Sequence, residues 1–157
     1  MKENDQFMRV ASKEAMEGVK KGHGGPFGAV IVKDNNIIAQ AHNEVIKNND
    51  PTDHAEMIAI RHAAKELGRF DLSDCELYTS CEPCPMCLSA IHWAKIEKVY
   101  FGCTRDDAAE IGFDDKYIYD VIKGTADHQK VHLEQKDRDT CLEAFREWKA
   151  KENKVQY

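Results

Sequence analysis

The chain lacks any apolar run approaching the ~20 residues that cross a bilayer as a helix. Its opening stretch, Met1-Lys2-Glu3-Asn4-Asp5, is polar and leads into no signal-peptide core. It also lacks an excess of positive charge: 22 Lys and Arg face 28 Asp and Glu, for a net charge of -6. An acidic chain does not carry the basic footprint of a nucleic-acid binder. Neither nucleic acid nor membrane is therefore expected as a partner. No internal repeat, low-complexity run or linker divides the 157 residues, which are enough to bury one core. The six cysteines, at 75, 81, 84, 87, 103 and 141, do not read as a disulfide framework. In an intracellular chain of this size, clustered Cys are more often metal ligands or reduced core residues. The expectation is one cytoplasmic domain, residues 1–157.

What is present is concentrated in two short motifs, His54-Ala55-Glu56 and Pro83-Cys84-Pro85-Met86-Cys87. One imidazole and two thiolates can supply three ligands to a zinc ion. A fourth tetrahedral position is then left for water, the open arrangement of a catalytic site. Glu56 beside the His is placed to move protons, and the H-x-E…P-C-x-x-C pattern is that of zinc nucleobase deaminases. Two thiolates and a neutral imidazole also bring the dication to zero net charge. Both motifs sit where a helix is expected to begin, and the partial positive charge of a helix N-terminus favours thiolate over thiol. The spacing of His54 and Glu56 raises a difficulty. Two residues along an ideal helix point about 200° apart, so the pair can converge only if metal and substrate approach near the helix end. Two alternatives stand beside the catalytic reading. Cys84-x-x-Cys87 can be a redox pair, or half of a closed structural site with Cys81 as fourth ligand. Cys75, Cys103 and Cys141 read as buried small hydrophobes. His23, His42, His62, His92, His128 and His132 show no paired ligand spacing.

The surrounding pattern is that of an α/β domain. Residues 3–21 carry apolar side chains at helical spacing, stopped by Gly22. Phe27 to Val32 is a strand, and Asp34-Asn35-Asn36 turns it into a second around Ile37 to Ala41, a hairpin. Asp50-Pro51-Thr52-Asp53 reads as the start of a helix ending at Gly68. A strand at Glu76 to Thr79, a helix from Pro85 to Ala94 and a strand at Lys98 to Gly102 make a crossover, so these two strands should be parallel. Residues 115–123 and 138–151 look helical, with a weak strand near Lys130 to Leu133. The tail from Lys149 to Tyr157 is polar. The expected architecture is a mixed sheet between helical layers.

Asp50-Pro51-Thr52-Asp53-His54-Ala55-Glu56 and Thr79-Ser80-Cys81-Glu82-Pro83-Cys84-Pro85-Met86-Cys87 resemble the cytidine/deoxycytidylate deaminase superfamily. The Gly25-Pro26-Phe27-Gly28-Ala29-Val30 strand and Asn43 resemble the branch holding guanine deaminases and tRNA adenosine deaminases. Ala108 to Asp115 and the terminal Tyr157 resemble the small bacterial guanine deaminases, and the likeness runs from the first helix to the last residue. One departure is Asp53, where Ala is common before the His. The resemblance implies a three-layer α/β/α fold with a mixed five-stranded sheet, one zinc per protomer, and hydrolysis of guanine to xanthine and ammonia in purine catabolism or salvage. It implies that Glu56 takes the attacking water's proton and passes it to the ring. It further implies that Asn43 reads the purine edge, that Phe27 and Trp93 pack on the ring, and that Asp115 contacts the exocyclic amine as a second proton carrier. Core packing for Phe27 and Trp93 and a helix N-cap for Asp115 remain the plain alternatives. A homodimer is implied as well, in which the C-terminal segment is exchanged and Tyr157 closes the neighbouring site. A tRNA adenosine deaminase, or another base or nucleoside deaminase, is the second enzyme reading; a zinc-stapled binding module is the non-enzyme reading. The only basic stretches, Lys95 to Lys98 and Lys149 to Lys154, are interrupted by acids, so RNA binding is not expected.

Overall fold

The computed structural model describes residues 4–157. Helix α1 spans Asn4–Lys20, and the expected start at Glu3 lies outside the described residues. Strands β1 (Gly28–Lys33) and β2 (Asn36–His42) form the expected antiparallel hairpin. Its turn places Asp34 and Asn35 at φ 48° and 63°, the left-handed pair that matches strand twist. A register shift between Ile31 and Val32 adds a bulge. Then follow α2 (Val45–Asn48), α3 (Ala55–Leu67), β3 (Glu76–Cys81), α4 (Pro85–Trp93), β4 (Lys98–Cys103), α5 (Arg105–Glu110), α6 (Lys116–Lys123) and α7 (Arg138–Ala150). The short helices α2 and α5 have no apolar periodicity to announce them; α5 is held instead by a capping box between Thr104 and Asp107.

The strand order is β2-β1-β3-β4, with β1 antiparallel to both neighbours and β3 parallel to β4. Alternation along β1 sends Ala29 and Ile31 to one face and Val30 and Val32 to the other. The first pair packs with Ala55, Ile58 and Ala59 of α3 and Ile91 of α4. The second pair packs with Phe7 and Ala11 of α1 and Tyr78 of β3. Helices thus cover both faces of the sheet, and β1 is apolar on both sides for that reason. The contact of α1 with β1 is close: a Cβ on Gly28 would lie 2.0 Å from the Ala11 carbonyl oxygen, so no larger residue fits there.

The expected fifth strand is not formed, and the described residues make a four-stranded sheet. Lys130 to Leu133 has only Val131 and Leu133 to bury, and Leu133 is 88% exposed with no ladder partner. Two apolar side chains on an unpaired segment do not offset the ordering cost of a strand. Two further expectations are corrected: Cys103 and Cys141 are exposed, whereas Cys75 is buried as expected. None of the described helices is long and apolar enough to cross a membrane.

Candidate metal and base-binding site

Asp50 to Asp53 is not the first turn of a helix. The Thr52 amide and hydroxyl both donate to Asp50 Oδ1, at 2.8 and 2.7 Å, so the side chain closes a turn. Helix α3 begins only at Ala55, with His54 as its N-cap at φ -68° and ψ 154°. That extended residue resolves the 200° difficulty. His54 stands outside the helical rotation, and its imidazole and the carboxylate of Glu56, in the first turn, line the same cavity. Asp53 does not line it. Its buried carboxylate accepts from Arg61 Nη1 at 2.7 Å and Asn48 Nδ2 at 2.8 Å, so its charge is matched by Arg61 away from the site.

Cys84 is the N-cap of α4, Pro85 follows at N1, and the Cys84 sulfur accepts the Cys87 amide at 3.5 Å. His54 Nδ1 lies 3.4 Å from Cys84 Sγ and 3.5 Å from Cys87 Sγ. Tetrahedral zinc with Zn–S near 2.3 Å and Zn–N near 2.0 Å requires an N···S separation of about 3.5 Å. The donor set therefore fits the ion as it stands. Among the described residues the metal-donor cluster is His54, Cys84 and Cys87. The hydrogen bond from Cys87, then His54 and the Cys87 amide, hold Cys84 well below the ordinary thiol value; Cys84 and burial push Cys87 upward. Cys84 is thus the readier thiolate of the two, and a bound dication favours the thiolate form of both. Cys81, the alternative fourth ligand, points its sulfur to the Thr104 carbonyl at 3.6 Å, and burial pushes it up to about 11. Cys81 is not among the clustered donors His54, Cys84 and Cys87, so the fourth metal position is left to the cavity.

Glu56 is 5% exposed. Its Oε1 lies 2.7 Å from Thr79 Oγ1, which is also 3.0 Å from the Cys81 carbonyl. Thr79 has one proton for two acceptors. An ionised Glu56 takes it; a protonated Glu56 donates to Thr79 instead, which then serves Cys81. Burial raises the Glu56 pKa. The group can hold or yield a proton with a partner in either state.

The cavity measures about 270 Å³, just below the ~300–1,000 Å³ range of ligand pockets and suited to one small ring system. Phe27 and Phe113 meet edge to face at 5.0 Å and form an apolar wall. Asn43 is buried, accepts the Val45 amide at its Oδ1 at 3.1 Å, and lines the cavity. A Cβ on Gly24 would lie 2.1 Å from Asn43 Oδ1, so the loop passes Asn43 only as glycine. That loop is tied down by a chain the spacing of the histidines did not reveal: His23 Nδ1 to His42 Nε2 at 2.8 Å, and His42 Nδ1 to Glu14 at 2.7 Å. The partners come from three elements, so only the fold brings them together.

Asp115 also lines the cavity. It occupies the N-cap of α6 with helical backbone angles and no side-chain cap bond, and the Lys116 amide is served by Asp114 at 2.9 Å. Asp115 is thus the N-cap by position, as the plain alternative held, but its carboxylate caps no amide. Burial first, and then the Cys84 charge, raise its pKa. Trp93 and Tyr157 are placed elsewhere: they are 65% and 64% exposed, pair with each other at 6.0 Å, and do not line this cavity. Cys84 and Cys87 open α4 and Trp93 closes it, which separates them by roughly 10 Å at 1.5 Å per residue. Thr79, Glu82 and Phe113 join the site without a role foreseen for them, although all three lie in the stretches that carry the resemblance, Thr79 to Cys87 and Ala108 to Asp115.

The description of the matching family is the cytidine and deoxycytidylate deaminase zinc-binding region, and it matches residues 1–103. The chain belongs to this family. Within it, the chain is 49% identical to guanine deaminase of Bacillus subtilis (strain 168) over 154 residues, 98% of this chain and 99% of that one. The X-ray structure of guanine deaminase from Bacillus subtilis superposes with a TM-score of 0.92 at 50% identity, covering 98% of each chain. A tRNA-specific adenosine deaminase of Aquifex aeolicus is 47% identical over 97 residues, 62% of this chain and 64% of that one.

Proposed function

We propose that this chain is a zinc-dependent aminohydrolase that converts guanine and water to xanthine and ammonia. The observation that carries the substrate is the likeness to guanine deaminase sustained over 98% of the chain, including the segment that brings Asp115 into the cavity. When bound by His54, Cys84 and Cys87, zinc supplies the Lewis acidity that makes water nucleophilic near neutral pH. Phe27 and Phe113 hold the ring, and the Asn43 amide reads its polar edge. Glu56 accepts the proton of the attacking water and returns it to the ring nitrogen, with Thr79 holding the carboxyl in either state. Asp115 protonates the exocyclic amine at C2 and takes the proton of the C2 hydroxyl as that oxygen becomes the carbonyl, so that ammonia rather than an amide ion departs. Purified protein is expected to release ammonia from guanine. Adenine, cytosine, their nucleosides and a tRNA anticodon substrate are expected to react far more slowly. Inertness toward guanine with turnover of another of these would reverse the assignment.

We further propose a homodimer in which the C-terminal segment is exchanged. No described residue after Ala108 is buried, and α6 and α7 leave Ile122 68% and Phe145 73% exposed. Helices with so much uncovered apolar surface call for a partner, and exchange of identical elements supplies one. Tyr157, outside its own site, is then available to close its neighbour's. Sedimentation is expected to give twice the chain mass. Deleting residues 150–157 is expected to lower kcat/KM about ten-fold or more with little change in Tm, the loss of an aromatic contact to substrate. Full activity in that truncation would refute the role of the tail.

A further inference from the structure

Asp115 makes no side-chain hydrogen bond that fixes its aim, and it rides on a helix with no buried residue. Its position must therefore come from the few contacts that hold α6. Tyr119, one turn along, supplies the most direct of them. Its hydroxyl donates to the Pro83 carbonyl at 2.9 Å, and Pro83 immediately precedes the ligand Cys84. The Tyr119 amide donates to the Asp115 carbonyl at 3.1 Å, so the two residues close the same helical turn. Over the face of the ring, the Arg105 guanidinium sits 4.2 Å from the Tyr119 centroid. Arg105 is itself fixed to the metal loop: its Nε is 3.0 Å from Glu82 Oε1, and its amide donates to Glu82 Oε2 at 3.1 Å.

We propose that Tyr119 is a positioning residue that latches α6 to the Glu82-Pro83 segment and thereby sets the Asp115 carboxylate against the cysteine loop. The proposal rests on the reading of Asp115 as the second proton carrier. The physical reason is leverage. The hydroxyl bond and the cation over the ring both tie the first turn of α6 to the Glu82-Pro83 segment, and that turn carries the carboxylate. Misplacement by an ångström at a reacting centre costs up to about 10²-fold in rate. Losing one neutral hydrogen bond while the stacking remains costs less.

The test uses Tyr119→Phe, which removes the hydroxyl and keeps the ring beneath Arg105. Its kcat on guanine is expected to fall about ten-fold. KM should stay within about two-fold, because Phe27 and Asn43 are untouched. Zinc content should remain one per chain, and amide exchange should quicken across residues 115–121 but not in α3 or α4. Arg105→Met should act in the same direction, guarding against a folding defect peculiar to one variant. The decisive measurement is the double-mutant cycle. If Tyr119 acts through Asp115, Tyr119→Phe adds no further loss to Asp115→Asn. A full additional ten-fold loss in that background, or native kcat in Tyr119→Phe alone, overturns the latch. Native activity in Asp115→Asn alone would overturn the proton-carrier reading and the proposal with it, and that outcome is distinguishable because it appears in the single Asp115 variant.

Discussion

Glu56→Gln protein is expected to bind one zinc per chain and to turn over guanine about 10²–10⁴-fold more slowly than the native protein, the span usual for a general acid–base. Glutamine keeps the size of the side chain and offers Thr79 an acceptor at the 2.7 Å position, so the local packing should survive. What it cannot do is accept the proton of water. The metal ligands are a different set of side chains, on the N-caps of α3 and α4 and one turn inside α4. Metal content and turnover should therefore separate. Metal analysis alongside steady-state ammonia release checks this directly. A variant within a few-fold of native rate would show that another group moves the proton. Loss of zinc along with activity would show that the carboxylate supports the metal instead.

Removing the metal should have an effect as large. Prolonged dialysis against a strong chelator is expected to lower the rate about 10³-fold or more, with recovery on adding back one equivalent of zinc. Stability should fall with it. The ion bridges α3 and α4 through His54, Cys84 and Cys87, and its binding energy is coupled to folding. For a domain of this size each kcal/mol is about 2–4 °C in Tm, so a drop of roughly 5–10 °C is expected by calorimetry. Native activity after verified metal removal would sink the catalytic reading of the cluster. A chelated protein that loses activity but shows no change in Tm would confine the ion to chemistry.

Much of the site was legible because its residues announce themselves by type. Few arrangements other than a metal site place a His and two Cys in short motifs, each at an expected helix start. Pro85 marked Cys84 as an N-cap and the structure keeps it there. The start of α3 was misplaced because Asp50, Pro51 and Thr52 suit a helix N-terminus and a side-chain-closed turn alike, and the choice depends on where Asp53 finds Asn48 and Arg61. The fifth strand was overread from two apolar residues in alternation. Whether a weak strand pairs depends on an available edge, which local pattern does not carry.

The sequence by itself determined the class of chemistry, the metal, the β1–β2 hairpin and the parallel pairing of β3 with β4. These follow from short-range spacing and from the intrinsic chemistry of thiol, imidazole and carboxylate. Only the tertiary structure decided the rest. It turned His54 out of the helical rotation so that it and Glu56 face one cavity. It aimed Asp115 into that cavity rather than at its own helix, and it kept Cys81 out of the donor cluster. It placed Trp93 and Tyr157 away from the site of their own chain. It drew Glu82, Arg105 and Tyr119, 37 positions apart at the extremes, into one cluster. Each of these outcomes depends on direction and desolvation, which are set where distant segments meet and have no counterpart in local pattern.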